Sequence, residues 1–260
     1  MLSYQHGYHA GNLADVHKHA LLAAMLAYLT QKDKPLSYLE THAGRGLYAL
    51  DADVAAKTGE AAAGIGRLSP LLSPDHPYTK ILAEVRDRYG AEAYPGSPLV
   101  AALSLRPGDR IDLAELHPQE FEALNDVMID YAAHCRKQDG WQLALALTPP
   151  EPRRGLMLID PSYEVKTDYE HLPQLIGQIN RKWNVGIIAL WYPILKSGAH
   201  HEMLGALEAQ DLPKTIRHEI RFPPARSGHG MIGSGMYIVN APYGTSIEAA
   251  SLNRLFAALT

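Results

Sequence analysis

The stretch "LMLIDPSYE", residues 156–164, places an acid, a proline and an aromatic ring directly after an apolar run. Such a run predicts a buried strand that delivers Asp160 to one edge of a sheet, with Pro161 and Tyr163 beside it. Three other predicted strands also end in acidic residues, namely Glu40, Glu115 and Asp139. Because ligands bind at the carboxyl ends of parallel strands, the four acids together predict a ligand site at that edge.

Each acid taken alone has an ordinary structural interpretation. Glu115 and Asp139 could be loop carboxylates or helix caps, and the "GRG" that follows Glu40 is weak evidence of a ligand-binding turn. Their order along the chain is more informative than any single residue. The first acid, Glu40, is followed by a glycine turn, and the second, Glu115, follows the next strand. An Asp-Gly pair at Asp139 comes third, and Asp-Pro-X-Tyr at Asp160 comes last.

The elements that must position these acids alternate between strand and helix patterns. A helix is predicted over 12–31, with Asn12 as its cap and Asp15 in its first turn. Further helices are predicted over 118–134 and over 168–183, the latter despite Pro173. Strands are predicted over 36–41, 109–116, 155–161, 185–193, 215–222 and 235–244. The alternation predicts an α/β fold with a mostly parallel sheet flanked by helices on both faces.

The segment 47–94 differs from its surroundings. It is rich in alanine and helical in pattern, and "SPLLSPDHP" interrupts it. The turn-forming "YPGSP" at 94–98 leads back to the main body. We therefore expect one domain over 1–260 with a small inserted helical subdomain at 47–94.

Composition limits the class of protein. Apolar residues make up 47% of the 260 residues, and Cys135 is the one cysteine, which rules out an intrachain disulfide and favours a reducing compartment. The N-terminal block lacks the pattern of a secretory leader, and the apolar stretch 20–29 is too short to span a bilayer. We expect a soluble, cytoplasmic protein without a membrane partner or an obligate protein partner.

The net charge of −4 argues against a broadly basic nucleic-acid surface, although it leaves room for a local one. Candidate members of such a patch are Arg153, Arg154, Lys166, Arg221 and Arg226.

The ordered acids and the Asp-Pro-X-Tyr motif resemble the Rossmann-like class I S-adenosylmethionine-dependent methyltransferases. In its Asp/Asn-Pro-Pro-Tyr form, that motif is typical of enzymes that methylate an exocyclic amino nitrogen of a base. Seven blocks are similar to the bacterial 23S ribosomal RNA adenine-N6 methyltransferase J family, RlmJ: "MLSYQHGYHAGNLADVHKH", "YLETHAGRG", "YPGSP", "AELHP", "LIDPSYE", "ALWYP" and "GSGMYIVNAP". The chain departs from the family at Ser162, where the family usually has proline, and at "LNRLFAALT", beyond which relatives continue.

The resemblance implies a set of residues around the methyl donor. Glu115 would accept hydrogen bonds from both ribose hydroxyls, and Asp139 would accept one from the donor's adenine amino group. Gly44, Gly46 and Gly140 would let the backbone approach the donor closely. The other implied donor-site residues are Lys18, His19, His42, Ser97 and Asp160, with Lys18 or His19 available to the donor's carboxylate.

For the methyl acceptor, the resemblance implies that Asp160 and the carbonyl of Pro161 accept the two N6 hydrogens of an adenine. The nitrogen lone pair would then point at the methyl group, with a fixed negative charge facing the developing cation. Tyr163 would stack on the target ring, and Tyr4 and His6 would border the substrate site. The base must leave its stack to reach such a pocket, so we expect a flipped or single-stranded adenine in 23S ribosomal RNA.

Three alternatives stay open from the residues. A nicotinamide-dependent oxidoreductase fits "AGRG" after a strand, but it requires an acid about 20 residues further on, and Glu115 lies far later. A metallohydrolase would use His6, His9, His17 and His19, yet His17 and His19 are two apart and face different sides of a helix. No metal site is therefore predicted. A non-enzymatic RNA-binding protein would not need four strand-end acids.

Overall fold

The structure is a computed structural model, and it describes residues 6–52, 59–165, 167–223 and 230–259. Three residues named from the sequence, Tyr4, Lys166 and Arg226, lie outside these ranges.

Seven strands of the described chain form one sheet in the order β5-β4-β1-β6-β7-β9-β8, and β2 pairs with β3 separately. The strands are β1 (Ser37–Glu40), β2 (Leu47–Ala49), β3 (Ala93–Pro95), β4 (Arg110–Ala114), β5 (His134–Arg136), β6 (Gly155–Ile159), β7 (Ile187–Leu195), β8 (Ile216–Arg221) and β9 (Met231–Val239). The first five strands of the order are parallel, and β9 runs antiparallel to both β7 and β8. This confirms the predicted Rossmann-like, mostly parallel sheet.

Helices cover both faces of this sheet. They are α1 (Leu13–Thr30), α2 (Pro77–Tyr89), α3 (Ser97–Ser104), α4 (Pro118–Met128), α5 (Gly140–Ala146), α6 (Asp168–Lys182), α7 (His200–Glu208) and α8 (Thr245–Ala257). Alternate residues of β6 point to opposite faces. Leu156 and Leu158 join a cluster with α1, α3 and α8, whereas Met157 and Ile159 join one with α5, α6 and α7. Burial on both faces explains why β6 is a continuous apolar run.

Helix α1 begins as the sequence predicted. The side-chain oxygen of Asn12 accepts a hydrogen bond from the Asp15 amide at 2.9 Å, which satisfies one of the free N–H groups of the first turn. Thirteen of its 18 residues are buried, because α1 packs against α2, α3, α8 and β9. Polar side chains on this helix are therefore held in fixed positions within the protein.

Four helices and three short strands were not predicted from the sequence, namely α3, α5, α7 and α8, and β2, β3 and β5. The predicted helix over 118–134 ends at Met128. Ala132 then takes a left-handed conformation (φ 51°), and β5 follows. The segment 47–94 contains β2, β3 and α2, and its buried side chains belong to the same hydrophobic cluster as α1. No described helix is both long enough and apolar enough to cross a membrane.

Candidate active site

A cavity of about 680 Å³ opens at the carboxyl edge of the parallel strands. The loops after β1, β4 and β6 line it, together with α1 and the end of β7. Most of the residues predicted from the sequence line this cavity: His6, Lys18, His19, His42, Gly44, Ser97, Glu115, Asp139, Gly140, Asp160, Pro161 and Tyr163. Gly46 lies behind it, where an added Cβ would come within 3.3 Å of Leu124 on α4.

Glu115 organises the turn after β1. One of its carboxylate oxygens accepts from the Gly44 amide at 2.8 Å, and the other accepts from the His117 amide at 2.7 Å. Gly44 has a φ of 62°, a backbone conformation that favours glycine. Burial raises the pKa of Glu115, and the backbone amides oppose that rise. The Glu115 carboxylate also lines the cavity, and each of its oxygens can accept more than one hydrogen bond.

Asp139 caps α5 and accepts a hydrogen bond from the Gln142 amide at 3.0 Å. The helix-cap interpretation of this residue is thus correct, and the residue lines the cavity as well. Gly140 is required by packing, because an added Cβ would lie 2.0 Å from the Thr41 carbonyl oxygen. The ring of His42 meets the Trp141 ring edge-on at 4.7 Å, and burial lowers the pKa of His42 to about 4. His42 is therefore neutral near pH 7.

Lys18 and Asp160 form an ion pair on the cavity wall. Lys18 Nζ lies 2.5 Å from Asp160 Oδ2 and 3.3 Å from Asp15 Oδ1, and it lies 5.7 Å from the centre of the Trp191 ring. Burial by itself would lower the pKa of Lys18, but the two carboxylates raise it above its ordinary value. Lys18 is thus a fixed cation at the predicted catalytic acid.

His19 was the other residue offered to the donor's carboxylate. Its Nδ1 is 3.1 Å from the Tyr94 hydroxyl, and its buried Nε2 has no hydrogen-bond partner among the described residues. Burial lowers the pKa of His19 to about 3, so its ring is neutral at neutral pH. His19 can bind a ligand through a hydrogen bond but not through charge.

Ser97 and Glu40 form a buried cluster at the cavity wall. The Ser97 hydroxyl donates to Glu40 Oε1 at 2.5 Å, and the Tyr38 hydroxyl donates to Oε2 at 2.8 Å. Burial raises the pKa of Glu40 to about 8, so its carboxyl group is mostly protonated at neutral pH. Glu40 is a strand-end acid, as predicted, but it is enclosed by protein groups.

The "DPSY" loop is held by its tyrosine. Tyr163 has a φ of 56°, unusual for a residue with a side chain, and its hydroxyl donates to the Trp191 carbonyl at 2.6 Å. Its ring lies 4.7 Å from that of Tyr169 and 5.9 Å from that of Trp191. The tyrosine therefore anchors the loop to β7 at the cavity wall.

Sequence reasoning missed Asp15 and Trp191 as residues of this site. Asp15 accepts from the Gly11 amide at 2.9 Å and lies 2.9 Å from His6 Nε2. Burial would raise the pKa of Asp15, but His6 and Lys18 hold it well below its ordinary value. In the sequence, Asp15 has the pattern of a helix-start residue and Trp191 that of a strand residue. Neither pattern reveals what lies across the cavity.

The four clustered histidines of the sequence bind protein groups separately. His6 contacts Asp15, His9 contacts Glu60 at 3.0 Å, His19 contacts Tyr94, and His17 contacts Ser234 at 2.8 Å and His218 at 2.9 Å. Within the described ranges, no three His, Cys, Asp or Glu side chains are grouped so that they could hold a metal ion.

The basic residues named from the sequence lie at opposite edges of the sheet. Arg153 and Arg154 precede β6, at the edge away from the cavity, and Arg154 donates to the Lys34 carbonyl at 2.9 Å. Because of this placement, neither arginine belongs to a basic patch at the mouth of the cavity. Arg221 ends β8, which runs parallel to β7, so it lies at the cavity edge and is exposed.

Comparisons with known proteins agree on one family. Residues 33–257 match the family described as "Ribosomal RNA large subunit methyltransferase D, RlmJ". Two relatives are named ribosomal RNA large subunit methyltransferase J. The one from Escherichia coli is 40% identical over 94% of this chain and 88% of its own length, and the one from Haemophilus influenzae is 39% identical over the same shares. A crystal structure of a Legionella pneumophila protein is 35% identical, with a TM-score of 0.85 over 95% of this chain and 94% of that one.

Proposed function

This chain belongs to the RlmJ family of ribosomal RNA large subunit methyltransferases, and on that premise we propose that it methylates the N6 amino group of an adenine in 23S ribosomal RNA, with S-adenosylmethionine as methyl donor. One observation carries the proposal. The Asp160–Pro161 acceptor pair and the Glu115-ordered glycine turn line the same cavity, so a donor and an amine could meet there.

The donor side offers groups that suit S-adenosylmethionine, which supplies the methyl group when bound. The Glu115 carboxylate lines the cavity and suits two neighbouring ribose hydroxyls, since a carboxylate can accept several hydrogen bonds at once. The buried Nε2 of His19 lacks a partner among the described residues and can bond a polar group of the donor. The close packing of Gly140 on Thr41 brings α5, with Asp139 at its start, against the turn that would hold the donor.

On the acceptor side, Asp160 binds Lys18 through Oδ2, and its Oδ1 accepts no hydrogen bond from the described residues. That oxygen and the Pro161 carbonyl are free to accept the two N6 hydrogens. The amine lone pair would then be turned from the ring toward the methyl group. As the N–CH₃ bond forms and the S–CH₃ bond breaks, positive charge develops on nitrogen beside the Asp160 carboxylate, and one N6 proton is then released.

Lys18 has a defined part in this scheme. It fixes the orientation of the Asp160 carboxylate, because its buried ammonium group lies 2.5 Å from Oδ2. Asp15 shares the Lys18 charge and limits the repulsion that a lone cation would exert on the developing positive charge. The adenine must leave its stack to reach this wall of the cavity. We place the Tyr163 ring at the border of the adenine site.

The test is methyl transfer from labelled donor to protein-free large-subunit RNA, followed by mapping of N6-methyladenine. Wild-type protein should label one adenine, and Asp160→Ala should not label it while it still binds the donor. Transfer to a different atom would refute the N6 assignment. Tight RNA binding without donor binding would favour the non-enzymatic alternative.

A further inference from the structure

A chain of four hydrogen bonds runs from the active-site wall through the protein to helix α8. The indole N–H of Trp191 donates to the Ser234 hydroxyl oxygen at 2.9 Å, and that hydroxyl is 2.8 Å from His17 Nδ1. His17 Nε2 is 2.9 Å from His218 Nδ1, and His218 Nε2 is 3.1 Å from the Asn253 side-chain oxygen. The inner three members, Ser234, His17 and His218, are buried.

The direction of this chain is fixed by its two ends. An indole N–H can only donate and an amide oxygen can only accept. The hydroxyl and each neutral imidazole between them donate one proton and accept another. All five groups are satisfied only if every N–H or O–H points from Trp191 toward Asn253. If both imidazoles were the opposite tautomer, the Ser234 hydroxyl proton would have no acceptor within this chain of hydrogen bonds.

The neutral state that this direction needs is favoured by the surroundings. Burial lowers the pKa of His17 well below 6.5, and the neighbouring His218 lowers it further. Burial also lowers the pKa of His218, while the facing groups of α8, Asn253, the Ala249 carbonyl and Glu248, oppose the shift together with Glu219. A second proton on either ring would break the one-way order.

At the other end, Trp191 contacts two residues beside Asp160. One is Lys18, the ion-pair partner of Asp160, and the other is Tyr163 of the "DPSY" loop. The Trp191 ring lies 5.7 Å from Lys18 Nζ, within the range of a cation–π contact, and the Trp191 carbonyl accepts from the Tyr163 hydroxyl. That carbonyl belongs to the main chain, but the indole ring also meets the Tyr163 ring edge-on at 5.9 Å. A fixed indole therefore helps to hold both the Lys18 ammonium and the Tyr163 ring.

Resting on the proposed function, we propose that the Ser234–His17–His218–Asn253 relay is a positioning device for methyl transfer: it holds the Trp191 indole, and through it Lys18 and Tyr163, in the geometry that presents Asp160 to the target amine. These four residues act through Trp191 and touch neither substrate. Through them, the rate of methyl transfer depends on how α8 packs against the rest of the protein.

The first test is a double-mutant cycle on single-turnover methyl transfer. Trp191→Phe keeps an aromatic ring and removes the N–H, and Ser234→Ala removes its acceptor. Ser234→Ala alone should slow transfer about tenfold, the scale of one net hydrogen bond, with unchanged donor affinity. In the Trp191→Phe background the same change should have no further effect, because the shared bond is already absent. Equal slowing in both backgrounds, or no slowing in either, would overturn the relay.

The second test works from the far end, where folding is not at risk. Asn253 is exposed on α8, and Asn253→Ala removes the side-chain acceptor of His218 and leaves it only the Ala249 carbonyl. We expect transfer to slow by about three- to tenfold, on the scale of one hydrogen bond. Ser251→Ala, also at an exposed position of α8, is the matched control and should transfer at the wild-type rate. Equal rates for the two variants would count against the relay.

A readout that needs no reaction separates the relay from the proposed function. The Trp191 indole proton, identified by its loss in Trp191→Phe, should exchange slowly with solvent in the wild type and faster in Ser234→Ala and Asn253→Ala. If the wild type transfers no methyl group, the proposed function fails while this exchange still tests the relay. If transfer is normal and exchange is the same in all variants, the relay alone is refuted.

Discussion

Lys18 Nζ and Asp160 Oδ2 lie 2.5 Å apart on the cavity wall, and both side chains are largely shielded from water. The predicted catalytic acid is therefore half of an ion pair with a buried cation. Removal of one partner from such a pair leaves the other charge uncompensated, which costs more than the loss of an exposed pair. Substitutions at Asp160 must be interpreted with Lys18 in mind.

Asp160→Ala should abolish methyl transfer, with a loss of at least about 10²–10³ in rate, because the amine loses an acceptor and faces a Lys18 ammonium that keeps only Asp15 as its partner. Asp160→Asn should retain measurable transfer, since its side-chain oxygen can still accept an N6 hydrogen. The measurement is single-turnover transfer to a short adenine-containing hairpin, with donor affinity measured separately. Wild-type rates in both variants would exclude Asp160 as the group that activates the amine.

Glu115→Ala should weaken S-adenosylmethionine binding, because two ribose hydroxyls lose a charged acceptor, each such bond being worth roughly 1.5–3 kcal/mol. The change also frees the Gly44 and His117 amides, so the turn itself should loosen. Calorimetry of donor binding is the measurement. Glu122→Ala, an exposed acid on α4, is the matched control and should bind the donor normally. Unchanged affinity in a folded Glu115→Ala protein would remove Glu115 from the site.

RNA affinity should depend on Arg221 and not on Arg153. Both are exposed arginines, but Arg221 ends β8 at the cavity edge and Arg153 precedes β6, about 16 Å of strand away from Asp160. Arg221→Glu should weaken RNA binding and lower its salt dependence by about one phosphate contact. Arg153→Glu carries the same charge change and should bind like the wild type. A binding titration at several salt concentrations decides between them, and equal effects would mean that the RNA reaches both edges.

The buried Glu40 should make stability depend on pH. Its pKa of about 8 in the folded protein lies above its ordinary value of 4.5, so the folded state holds this proton more tightly than the unfolded chain. Its contribution to stability is then complete below pH 4.5 and is lost as the pH rises toward 8. The measurement is the urea concentration at the midpoint of unfolding, at pH 5 and at pH 8. Because glutamine stays neutral, the difference between the two midpoints should be smaller for Glu40→Gln than for the wild type. The same pH dependence in both proteins would show that Glu40 is ionised when folded.

The sequence by itself determined six of the seven strands of the main sheet, the acids that follow them and the start of α1. These features depend on local patterns: an apolar run that ends in Asp160, a turn that needs Gly44 to take a positive φ, and the Asn12 cap. The same local patterns, with the resemblance of the motifs, identified twelve of the residues that line the cavity. Helices α3, α5, α7 and α8 were missed because they are short or carry a weak apolar face.

Only the tertiary structure decided which partners those residues have. Lys18 and Asp160 are 142 positions apart, and His17 and His218 are 201 apart. Their contacts follow from the way α1 docks on the sheet and from the insertion of the antiparallel β9 between β7 and β8. Periodicity records which face of an element is apolar, but it does not record which element covers that face. The ion pair at Asp160 and the relay behind Trp191 were therefore beyond sequence reasoning.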